Sequence, residues 1–537
     1  MPLSDGDVVA AGRRMSFGSQ LARSARKYPE RVAYQHGSHK ATFQELDLRV
    51  SRLANALTAR GVGHGDRVAM LMHNKIEVAE SYLAVARLGA IAVPINFRLV
   101  AGEIAYILAD SGACALIVDA ALAGAAADAV RDLDGVRCVL VAGDGTSTAM
   151  QNAEPYEETV TAASPDDPGI DVSEHDAAFL MYTSGTTGRP KGVILTHFNL
   201  MMNAFLLFLS LGGLSEEADV QLLGGPMFHI AGLGATLRAL ADGGRVVIDD
   251  SKGFDPVAIL DLLEREQITT CHLVPSQWQE VCAVPDVKER KLALKRLAWG
   301  ASPATPSLLN TLLETFPDTP AFTAFGQTEM CATTTLLHGK DAVRKLGSVG
   351  RPLPGIEVRI VDDEMRDVSV GEVGEIVYRG PTTMVGYWNK PAETEDAFSG
   401  GWFHSGDLCR MDDEGFIYVV DRKKDMIVSG GENIYCAEVE AAIDAHPGVA
   451  MVAVIGVEHP KWVQTPRAVI VPVDPASPPS EQEIVDYCRD RIASYKKPTS
   501  VVFTEAMPRN ASGKIQKFRL REMYGEADLP ATARPQD

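Results

Sequence analysis

The chain has 537 residues, more than the roughly 250–300 at which a single hydrophobic core stops growing, so two or more domains are expected. Its composition is that of a soluble globular protein, and the formal net charge of −20 argues against nucleic acid or an anionic membrane as the main partner. Any phosphate-binding site must therefore be locally basic or assisted by a metal ion.

The N-terminal part of the chain alternates predicted helices and strands. Apolar residues recur at helical spacing from Thr42 to Arg60, where Thr42 and Glu45 form a predicted capping box and Gly61 a stop. The pattern then predicts a strand over 67–72, a helix over 76–88 and a strand over 90–94. This order is typical of βαβ units and a parallel sheet, and it continues through predicted strands near 246–248, 270–274 and 321–325.

Beyond about residue 340 the pattern changes. Short strands separated by glycines, at 357–361, 375–378 and 416–420, predict a β-rich subdomain, and helix–strand alternation returns near the C-terminal end. The charged run Asp421–Asp425 separates the two patterns. We therefore predict the α/β class: a large N-terminal domain of parallel α/β layers with a β-rich subdomain over 1–423, and a small, mobile α+β domain over 424–537.

The cysteines and apolar segments bear on the cellular compartment. Eight cysteines are scattered along the chain without a Cys-x-x-Cys pair or other zinc-type spacing, and we interpret them as reduced thiols. No segment approaches the ~20 apolar residues of a membrane span, and residues 1–14 carry no continuous apolar stretch of a secretory signal. We expect a cytoplasmic protein that does not span a membrane.

The segment Met181–Gly192 combines glycines, hydroxyls and one lysine directly after a predicted buried strand. Glycines let the backbone N–H groups turn inward, hydroxyls add donors and Lys191 adds positive charge, which is the chemistry of a phosphate cradle. A nucleoside triphosphate is the expected ligand. Because Lys191 lies between Pro190 and Gly192, the spacing differs from that of the common P-loop, and ordinary kinases and GTPases are disfavoured.

This loop resembles, residue for residue, the signature loop of the adenylate-forming superfamily, which includes acyl-CoA synthetases, luciferases and peptide-synthetase adenylation domains. Four later segments resemble further motifs of that superfamily in the same chain order: Phe325–Glu329, Gly401–Asp407, Asp421–Asp425 and Pro508–Lys514. Within the superfamily, 324–330 and 421–438 look most like actinobacterial fatty-acyl-CoA synthetases. The resemblance spans essentially the whole chain.

The resemblance implies a site for ATP and AMP. The phosphate loop, an aromatic residue that stacks on adenine, a ribose-binding Asp–Arg pair and a C-terminal lysine would contribute, which gives Thr183, Ser184, Gly185, Thr186, Thr187, Gly188, Lys191, Phe325, Gly326, Gln327, Thr328, Asp407, Arg422 and Lys514. Glu329 and the Thr183 hydroxyl would form part of an oxygen shell for Mg²⁺ beside phosphate oxygens. Lys514 would bridge the incoming carboxylate and the α-phosphate as a compact charge on a flexible stem.

The acid is expected to bind between the segment 226–232 and small residues nearby. We expect His229 to gate the pocket rather than act as a base, because a carboxylate substrate is already ionised at neutral pH. A core histidine bonded to backbone is the alternative. The predicted acid pocket comprises Phe228, His229, Gly232, Gly300, Ala301, Gly326, Met202 and Phe205. Acetate-specific relatives carry Trp at the position of Gly326, so the absence of that wall predicts a long or bulky apolar acid.

The resemblance also implies a site for coenzyme A and a hinge. The small domain would rotate about Lys424, and Gly430 and Gly431 would let the pantetheine arm pass close to the backbone. Trp462, Tyr495 and Lys497 align with positions that hold the CoA nucleotide in some relatives. The sequence departs from the commonest pattern at Cys436, where Pro is usual, and at Val463, where Gly is frequent.

We therefore expect an AMP-forming acid–CoA ligase that makes an acyl-adenylate and then an acyl-CoA. The expected catalytic residues are Lys514, Thr183, Glu329 and His229, with ATP, Mg²⁺ and coenzyme A as cofactors. The expected partners are these small molecules and a carboxylic acid, with no nucleic acid, and a homodimer is the candidate assembly. Two alternatives stay open: an adenylating enzyme that loads a carrier protein, and a non-catalytic nucleotide sensor that keeps the fold.

Overall fold

The computed structural model describes residues 12–143, 150, 153–183, 189–212, 218–249, 253–300, 304–429, 432–459, 461–489, 491–509 and 514–525. The described residues form two compact units. The first contains residues up to 358 and residues 378–403, and the second contains 359–377 and those from 404 onward. The predicted domain boundary at Lys424 stays a prediction.

The helices of the described residues, apart from short 3₁₀ turns, are α1 (Phe17–Lys27), α2 (Phe43–Ala59), α3 (Ile76–Arg87), α4 (Ala101–Ser111), α5 (Ala123–Val130), α6 (Tyr156–Ala162), α7 (His197–Ser210), α8 (Ile230–Asp242), α9 (Pro256–Arg265), α10 (Pro275–Cys282), α11 (Pro306–Thr315), α12 (Gly339–Ala342), α13 (Pro391–Ala397), α14 (Cys436–Asp444), α15 (Glu481–Arg489) and α16 (Lys517–Tyr524).

The strands are β1 (Val32–His36), β2 (His39–Thr42), β3 (Arg67–Leu71), β4 (Ile91–Ile95), β5 (Ala115–Asp119), β6 (Cys138–Ala142), β7 (Glu154–Pro155), β8 (Ala177–Thr183), β9 (Lys191–Thr196), β10 (Val220–Leu223), β11 (Arg245–Ile248), β12 (Thr270–Leu273), β13 (Arg296–Trp299), β14 (Ala321–Phe325), β15 (Thr335–His338), β16 (Ser348–Pro352), β17 (Glu357–Val361), β18 (Gly374–Arg379), β19 (Gly386–Tyr387), β20 (Phe403–Met411), β21 (Ile417–Arg422), β22 (Ile427–Ser429), β23 (Glu432–Ile434), β24 (Val449–His459), β25 (Val463–Pro472) and β26 (Ser500–Phe503).

Helix α2 shows how the local sequence sets an element boundary. The Thr42 hydroxyl accepts from the Glu45 N–H at 3.2 Å, and the Glu45 carboxylate accepts from the Thr42 N–H at 2.8 Å, so the predicted capping box is confirmed. Gly61 follows the helix with φ of 80°, the left-handed conformation that glycine adopts without strain. The buried side chains of α2 repeat at helical spacing and include Leu46, Val50 and Leu53.

One sheet of the first unit has eight strands in the order β19-β9-β8-β4-β3-β5-β6-β7. Strand β3 pairs in parallel with β4 on one side and with β5 on the other. The chain therefore reverses its direction of progress across the sheet at β3, and ligands of such sheets bind at the carboxyl ends of the strands next to this point. Strand β3 leads there into His73, and β5 ends there at Asp119.

The second sheet of the first unit includes β16, β15, β14, β13, β12, β10, β11, β1 and β2, in that order. Strand β14 pairs in parallel with β13 and antiparallel with β15. Its carboxyl end carries Phe325. The parallel α/β layers predicted for the first part of the chain are confirmed, and helices are packed between and around strands whose central residues are buried.

The second unit contains strands from two regions of sequence. Strands β17, β18, β20 and β21 lie side by side in that order, which confirms the predicted β-rich segment. The C-terminal part has a sheet in the order β23-β22-β25-β24, with β26 beside β25. Alternate residues of β24 face opposite sides of it: Val454 joins the cluster with Ile443 and Ile484 of α14 and α15, while Ile455 joins Leu520 of α16.

In the described part of the chain, no helix has both the length and the apolar character needed to cross a bilayer.

Candidate active site

Two predicted phosphate-loop residues face each other across a hairpin. Thr183 ends β8 and Lys191 begins β9, and the two are direct partners in the antiparallel register. Side chains of such partners lie on the same face of the sheet, so the hydroxyl and the ammonium group are on one side of it. The loop residues between them lie outside the described residues, namely Ser184, Gly185, Thr186, Thr187 and Gly188.

The predicted adenine-binding segment follows the carboxyl end of β14. A 3₁₀ turn covers Thr328–Met330, and Gln327 precedes it in an extended conformation. The two residues after the turn, Cys331 and Ala332, both have positive φ, at 59° and 85°. Left-handed backbone is unfavourable for residues with a Cβ, so the surrounding packing must hold this turn in place.

Gly326 lies between β14 and that turn and is in close contact with the backbone that follows the turn. A Cβ atom at residue 326 would lie 2.2 Å from the Ala332 carbonyl oxygen and 2.8 Å from the Thr334 nitrogen. Glycine is therefore required here by close approach of the backbone. Its predicted place in the acid pocket stays a prediction, but the small size of the residue is explained without an acid.

Two other glycines predicted to line the acid pocket are also packed against protein. A Cβ at Gly232 would lie 2.0 Å from the Pro226 carbonyl oxygen, and one at Gly300 would lie 2.8 Å from the His272 ring. A Cβ at Gly234, by contrast, would meet no atom within 4 Å. The small size of residues in this region is thus not by itself evidence for the volume of a pocket. Ala301, the remaining small residue of the prediction, lies outside the described residues.

Glu329, the predicted magnesium ligand, is held by a tyrosine that the sequence analysis missed. The Tyr387 hydroxyl donates to a Glu329 carboxylate oxygen at 3.1 Å, and the Lys191 ammonium lies 5.0 Å from the centre of the Tyr387 ring. Burial, reinforced by the Glu329 charge, raises the pKa of Tyr387, so the hydroxyl remains a donor. One phenol therefore connects the predicted metal carboxylate with the predicted phosphate lysine.

Nothing in the local sequence indicates this role for Tyr387. The residue follows Gly386 in the short strand β19, which pairs with β9, and 58 positions separate it from Glu329. The backbone supports the contact as well, because the Met384 N–H donates to the Glu329 carbonyl oxygen at 2.8 Å. The pairing of β19 with β9, together with this backbone bond, brings the phenol to the carboxylate.

The donor set fits a magnesium ion that is shared with a nucleotide. Among the described residues no cluster of three or more His, Cys, Asp or Glu could hold a metal by itself. Mg²⁺ commonly takes one or two carboxylates and completes its shell with water and substrate phosphates. Glu329 offers one such carboxylate, and bound Mg²⁺ supplies charge that neutralises phosphate oxygens.

His229 is the N-cap residue of α8 and carries the predicted gating role. Its Nδ1 accepts from the Ala231 N–H at 3.4 Å, and its side chain retains exposed surface. The protein packed around it lowers the pKa of its imidazole, and a position at a helix N-terminus acts in the same direction. The ring is therefore neutral at pH 7, and a neutral side chain suits a gate better than a charged one.

Helix α7 presents the other predicted acid-pocket side chains. Phe205 is 37% exposed and Met202 is half-buried, while Leu206 is buried. Phe228 is half-buried and meets the Phe97 ring edge-on, with centroids 5.3 Å apart. These surfaces are apolar. Their common use by one acid stays a prediction.

In the second unit, the two predicted ribose-binding residues contact each other, and their role with ribose stays a prediction. Asp407 of β20 and Arg422 of β21 are direct partners in the antiparallel register, and Arg422 Nε lies 2.6 Å from an Asp407 oxygen. Asp407 is 2% exposed, so this pairing compensates for burying its charge. The strand register alone places the two side chains together.

Lys514 lies close to the same pair. The surrounding protein, together with the nearby cations Arg422 and Lys424, lowers the pKa of Lys514, although its side chain retains exposed surface. Asp407 acts in the opposite direction. The second unit therefore brings Arg422 and Lys514 close to the buried Asp407 carboxylate, which groups three predicted nucleotide-site residues. Phe325, Gln327 and Thr328 belong to the first unit, and their use with these three in one nucleotide site stays a prediction.

The predicted hinge is next to a tightly bonded aspartate. The Asp425 carbonyl oxygen accepts from the Cys436 thiol at 2.9 Å, and its carboxylate pairs with Arg521 at 2.7 Å. The Cys436 side chain, which stands where Pro is usual, thus fastens the residue after Lys424. Whether Lys424 itself rotates is untested and stays a prediction.

The predicted CoA-binding residues are spread along the C-terminal part. The Lys461 ammonium lies 4.4 Å from the Trp462 ring centre, Tyr495 is 47% exposed and Lys497 is half-buried. Gly430 and Gly431 lie outside the described residues. The CoA role of this set stays a prediction.

Comparison with known proteins identifies the family. The family model described as AMP-binding enzyme matches residues 21–388, and the model of the AMP-binding enzyme C-terminal domain matches residues 438–514. A feruloyl-CoA synthase of an Amycolatopsis species is 39% identical over 96% of this chain and 100% of its own length. The long-chain-fatty-acid–CoA ligase FadD13 of Mycobacterium tuberculosis is 37% identical over 95% of this chain and 98% of its own.

A solved structure shows the same fold. The O-succinylbenzoate coenzyme A synthetase (MenE) from Bacillus subtilis, in complex with ATP and a magnesium ion, aligns with a TM-score of 0.82 and 33% identity, covering 94% of this chain and 99% of that one. The chain belongs to the AMP-binding enzyme family, the adenylate-forming superfamily that its motifs resemble. Within that family it is an AMP-forming acid–CoA ligase that uses ATP, Mg²⁺ and coenzyme A.

Proposed function

We propose that this ligase activates a long or bulky apolar acid, fatty or aryl. The observation that carries the proposal is a row of aromatic rings beside His229. The His73 and Phe97 rings lie 4.6 Å apart, and Phe97 meets Phe228 at 5.3 Å. The three rings, tilted or edge-on to one another, offer aromatic surface, which suits an aryl or alkyl group better than a short polar acid.

The relatives support the same range of acids. Their names refer to feruloyl, long-chain fatty, 2-succinylbenzoate and indoleacetate acids, of which three contain an aromatic ring. We therefore expect activity with cinnamate-type acids or with fatty acids rather than with acetate. In a homologous series of alkyl acids, each buried methylene contributes roughly 0.8 kcal/mol, so kcat/KM should rise about threefold or more per carbon until the site is filled.

The proposed chemistry has two halves. In the first, an acid oxygen attacks the α-phosphorus of ATP and pyrophosphate leaves, with Lys514 between the two anions, Glu329 and Thr183 at the magnesium and His229 at the acid. In the second, the CoA thiol attacks the acyl carbon and AMP leaves. Rotation about Lys424 would exchange the Lys514 segment for the segment that contains Gly430 and Gly431.

The acid range is tested by pyrophosphate release with ferulate, octanoate, palmitate and acetate, followed by CoA-dependent thioester formation. We expect release with at least one of the first three acids at a kcat/KM at least about tenfold above that with acetate. A preference for acetate would contradict the acid class while leaving the ligase assignment in place.

The same assay separates the two rival functions. A carrier-loading enzyme would release pyrophosphate but form no thioester with free CoA, and a nucleotide sensor would release none. A peptide-synthetase-type domain would place Asp near Phe228 to hold the substrate's ammonium group, whereas this chain has His229 there. The sequence therefore favours the ligase.

The Lys514→Ala variant tests the division into two halves. Loss of one preorganised charge should slow adenylation by about 10²–10³, while thioester formation from supplied acyl-adenylate persists. Equal losses in both half-reactions would contradict the exchange of segments. A homodimer and a cytoplasmic location belong to the same proposal, to be checked by sedimentation and by fractionation of cells.

A further inference from the structure

Asn74 makes a two-point contact with the segment that leads to His229. Its side-chain NH₂ donates to the Gly225 carbonyl oxygen at 2.8 Å, and its side-chain oxygen accepts from the Met227 N–H at 2.8 Å. A side-chain amide, as in asparagine or glutamine, offers a donor and an acceptor side by side in this way. The peptide groups on both sides of Pro226 are thus fixed to one residue.

The Asn74 backbone is itself fixed by a buried carboxylate. Asp119, at the carboxyl end of β5 and 3% exposed, accepts from the His73 N–H at 2.7 Å and from His73 Nδ1 at 2.8 Å. Its second oxygen lies 2.5 Å from the Lys75 ammonium. The residues on both sides of Asn74 therefore share one anchor, which restricts where the amide can point.

Two further contacts hold the same segment. The hydroxyl of Tyr82, a residue of α3 that is 1% exposed, donates to the Met227 carbonyl oxygen at 3.1 Å. The Phe97 ring packs edge-on against Phe228 at 5.3 Å. Among the described residues, the backbone of 225–228 forms no hydrogen bond with a neighbouring strand. A turn is present, in which the His229 N–H donates to the Pro226 carbonyl oxygen. Side chains of Asn74 and Phe97, which follow β3 and β4, and of Tyr82 on α3 therefore hold them in position.

We propose that Asn74 is a positioning residue for the acid, acting through the segment 225–228 on Phe228 and His229. The inference rests on the proposed function, because it takes Phe228 and His229 as the residues that face the acid. It adds that the carboxyl end of β3, in the eight-stranded sheet, sets the geometry of an acid site whose side chains belong to the segment before α8.

The test compares Asn74→Ala with a matched control, Asn55→Ala. Asn55 is also half-buried and also makes two hydrogen bonds to backbone, donating to the oxygens of Ser164 at 2.9 Å and Asp166 at 2.8 Å, but it lies on α2 and these bonds are remote from 225–229. Kinetics of pyrophosphate release are measured with varied acid and with varied ATP, alongside thermal unfolding. A third variant, Asn74→Asp, keeps the shape and the acceptor but removes the donor to Gly225.

We expect Asn74→Ala to raise the KM for the acid at least about tenfold, taking about fivefold for each lost hydrogen bond, with KM for ATP changed less than about threefold. Asn74→Asp should raise the acid KM as well. Asn55→Ala should lower the unfolding temperature to a similar extent and leave the acid KM unchanged. Equal behaviour of the two alanine variants, or an Asn74→Asp enzyme that matches the wild type, would overturn the proposal.

A double variant shows whether the effect passes through the segment. On a Phe228→Ala background, Asn74→Ala should lose most of its effect on the acid KM, because residues that act through one another are not additive. Full additivity would overturn the proposal. If the wild type instead turns over only a small acid, the proposed acid class fails, and the Asn74 comparison is made and decided with that acid.

Discussion

The Tyr387 hydroxyl donates to the Glu329 carboxylate while the Tyr387 ring lies beneath the Lys191 ammonium. The tyrosine thus orients an anion and a cation at once. Its backbone is held as well, because the Tyr387 N–H donates to the Thr394 hydroxyl at 2.9 Å. A carboxylate that accepts a hydrogen bond on one oxygen is restricted in rotation, and this limits which oxygen can face a metal ion.

Tyr387→Phe should therefore affect the magnesium dependence of adenylation. The variant keeps the ring and its contact with Lys191 but removes the hydrogen bond to the Glu329 carboxylate, so we expect the Mg²⁺ concentration for half-maximal pyrophosphate release to rise by about 10–100-fold, the range for losing a hydrogen-bond partner of a metal ligand. Tyr418→Phe is the control, since the Tyr418 hydroxyl donates to the Asp412 carboxylate at 3.2 Å in the second unit. The role is refuted if both variants show the same magnesium curve as the wild type.

Gly326→Ala tests the explanation for that glycine. One methyl group would lie 2.2 Å from the Ala332 carbonyl oxygen, so the turn must move, and we expect destabilisation of about 1–3 kcal/mol together with loss of adenylation. Gly234→Ala is the matched control. Its Cβ would meet nothing within 4 Å, and alanine in a helix should stabilise by about 0.5–1 kcal/mol. Urea unfolding of both variants gives the answer. A Gly326→Ala protein as stable as the wild type would mean that the backbones do not approach so closely.

Val463→Gly should stabilise the protein. Val463 has φ of 71°, a left-handed conformation that costs a residue with a Cβ about 1–2 kcal/mol, and its side chain is 67% exposed, so little packing is lost with it. The wild type carries valine where glycine is frequent. Val473→Gly, at another exposed valine without positive φ, should instead destabilise. We expect the unfolding temperature to rise in Val463→Gly and to fall in Val473→Gly. A lower unfolding temperature in both variants would argue against strain at residue 463.

His197 predicts part of the acid sensitivity of folding. It is fully buried, its Nδ1 accepts from the Phe17 N–H at 3.3 Å, and burial lowers its pKa to about 4. Between that value and the ordinary value of about 6.5, the unfolded chain binds a proton that the folded chain refuses. The contribution of neutral His197 to the free energy of unfolding is therefore complete above pH 6.5. It falls with decreasing pH, by up to about 1.4 kcal/mol per pH unit.

His197→Asn, which keeps an acceptor for the Phe17 N–H, should remove this slope. The measurement is the free energy of unfolding in urea between pH 7 and pH 4.5, where the variant should lose less stability than the wild type. Parallel pH profiles would show that His197 is not the group responsible.

Much of the fold could be predicted because its signals are local. The helix α2, its cap at Thr42 and the strands of the parallel sheets follow from spacing and turn residues within a few positions. The motifs could also be recognised from the sequence, because each is a short run of residues in a fixed order. The partnership of Asp407 and Arg422 was indicated by the resemblance and follows physically from the hairpin that joins their strands.

The rest depends on contacts between distant positions. The bond between Tyr387 and Glu329 needs the pairing of β19 with β9, and the contact of Asn74 with Met227 joins residues 153 positions apart. No local pattern marks either residue. Gly326 presents a different difficulty. The sequence shows that the residue is small, but it does not show whether the space beside it is needed for a substrate or for the chain's own carbonyl group.

Because the strand register places Asp407 beside Arg422, the number of residues between them matters for function. Only residues 412–416 separate β20 from β21, and the Asp412 carboxylate fastens that turn by accepting from the Glu414 and Phe416 N–H groups. Since successive side chains of a strand point to opposite faces, a single residue inserted or deleted there would turn the guanidinium away from the carboxylate without altering either residue. Loop length at this hairpin is thus under the same constraint as the charged pair itself, and chimeras that join homologous halves within 412–416 must keep its five residues.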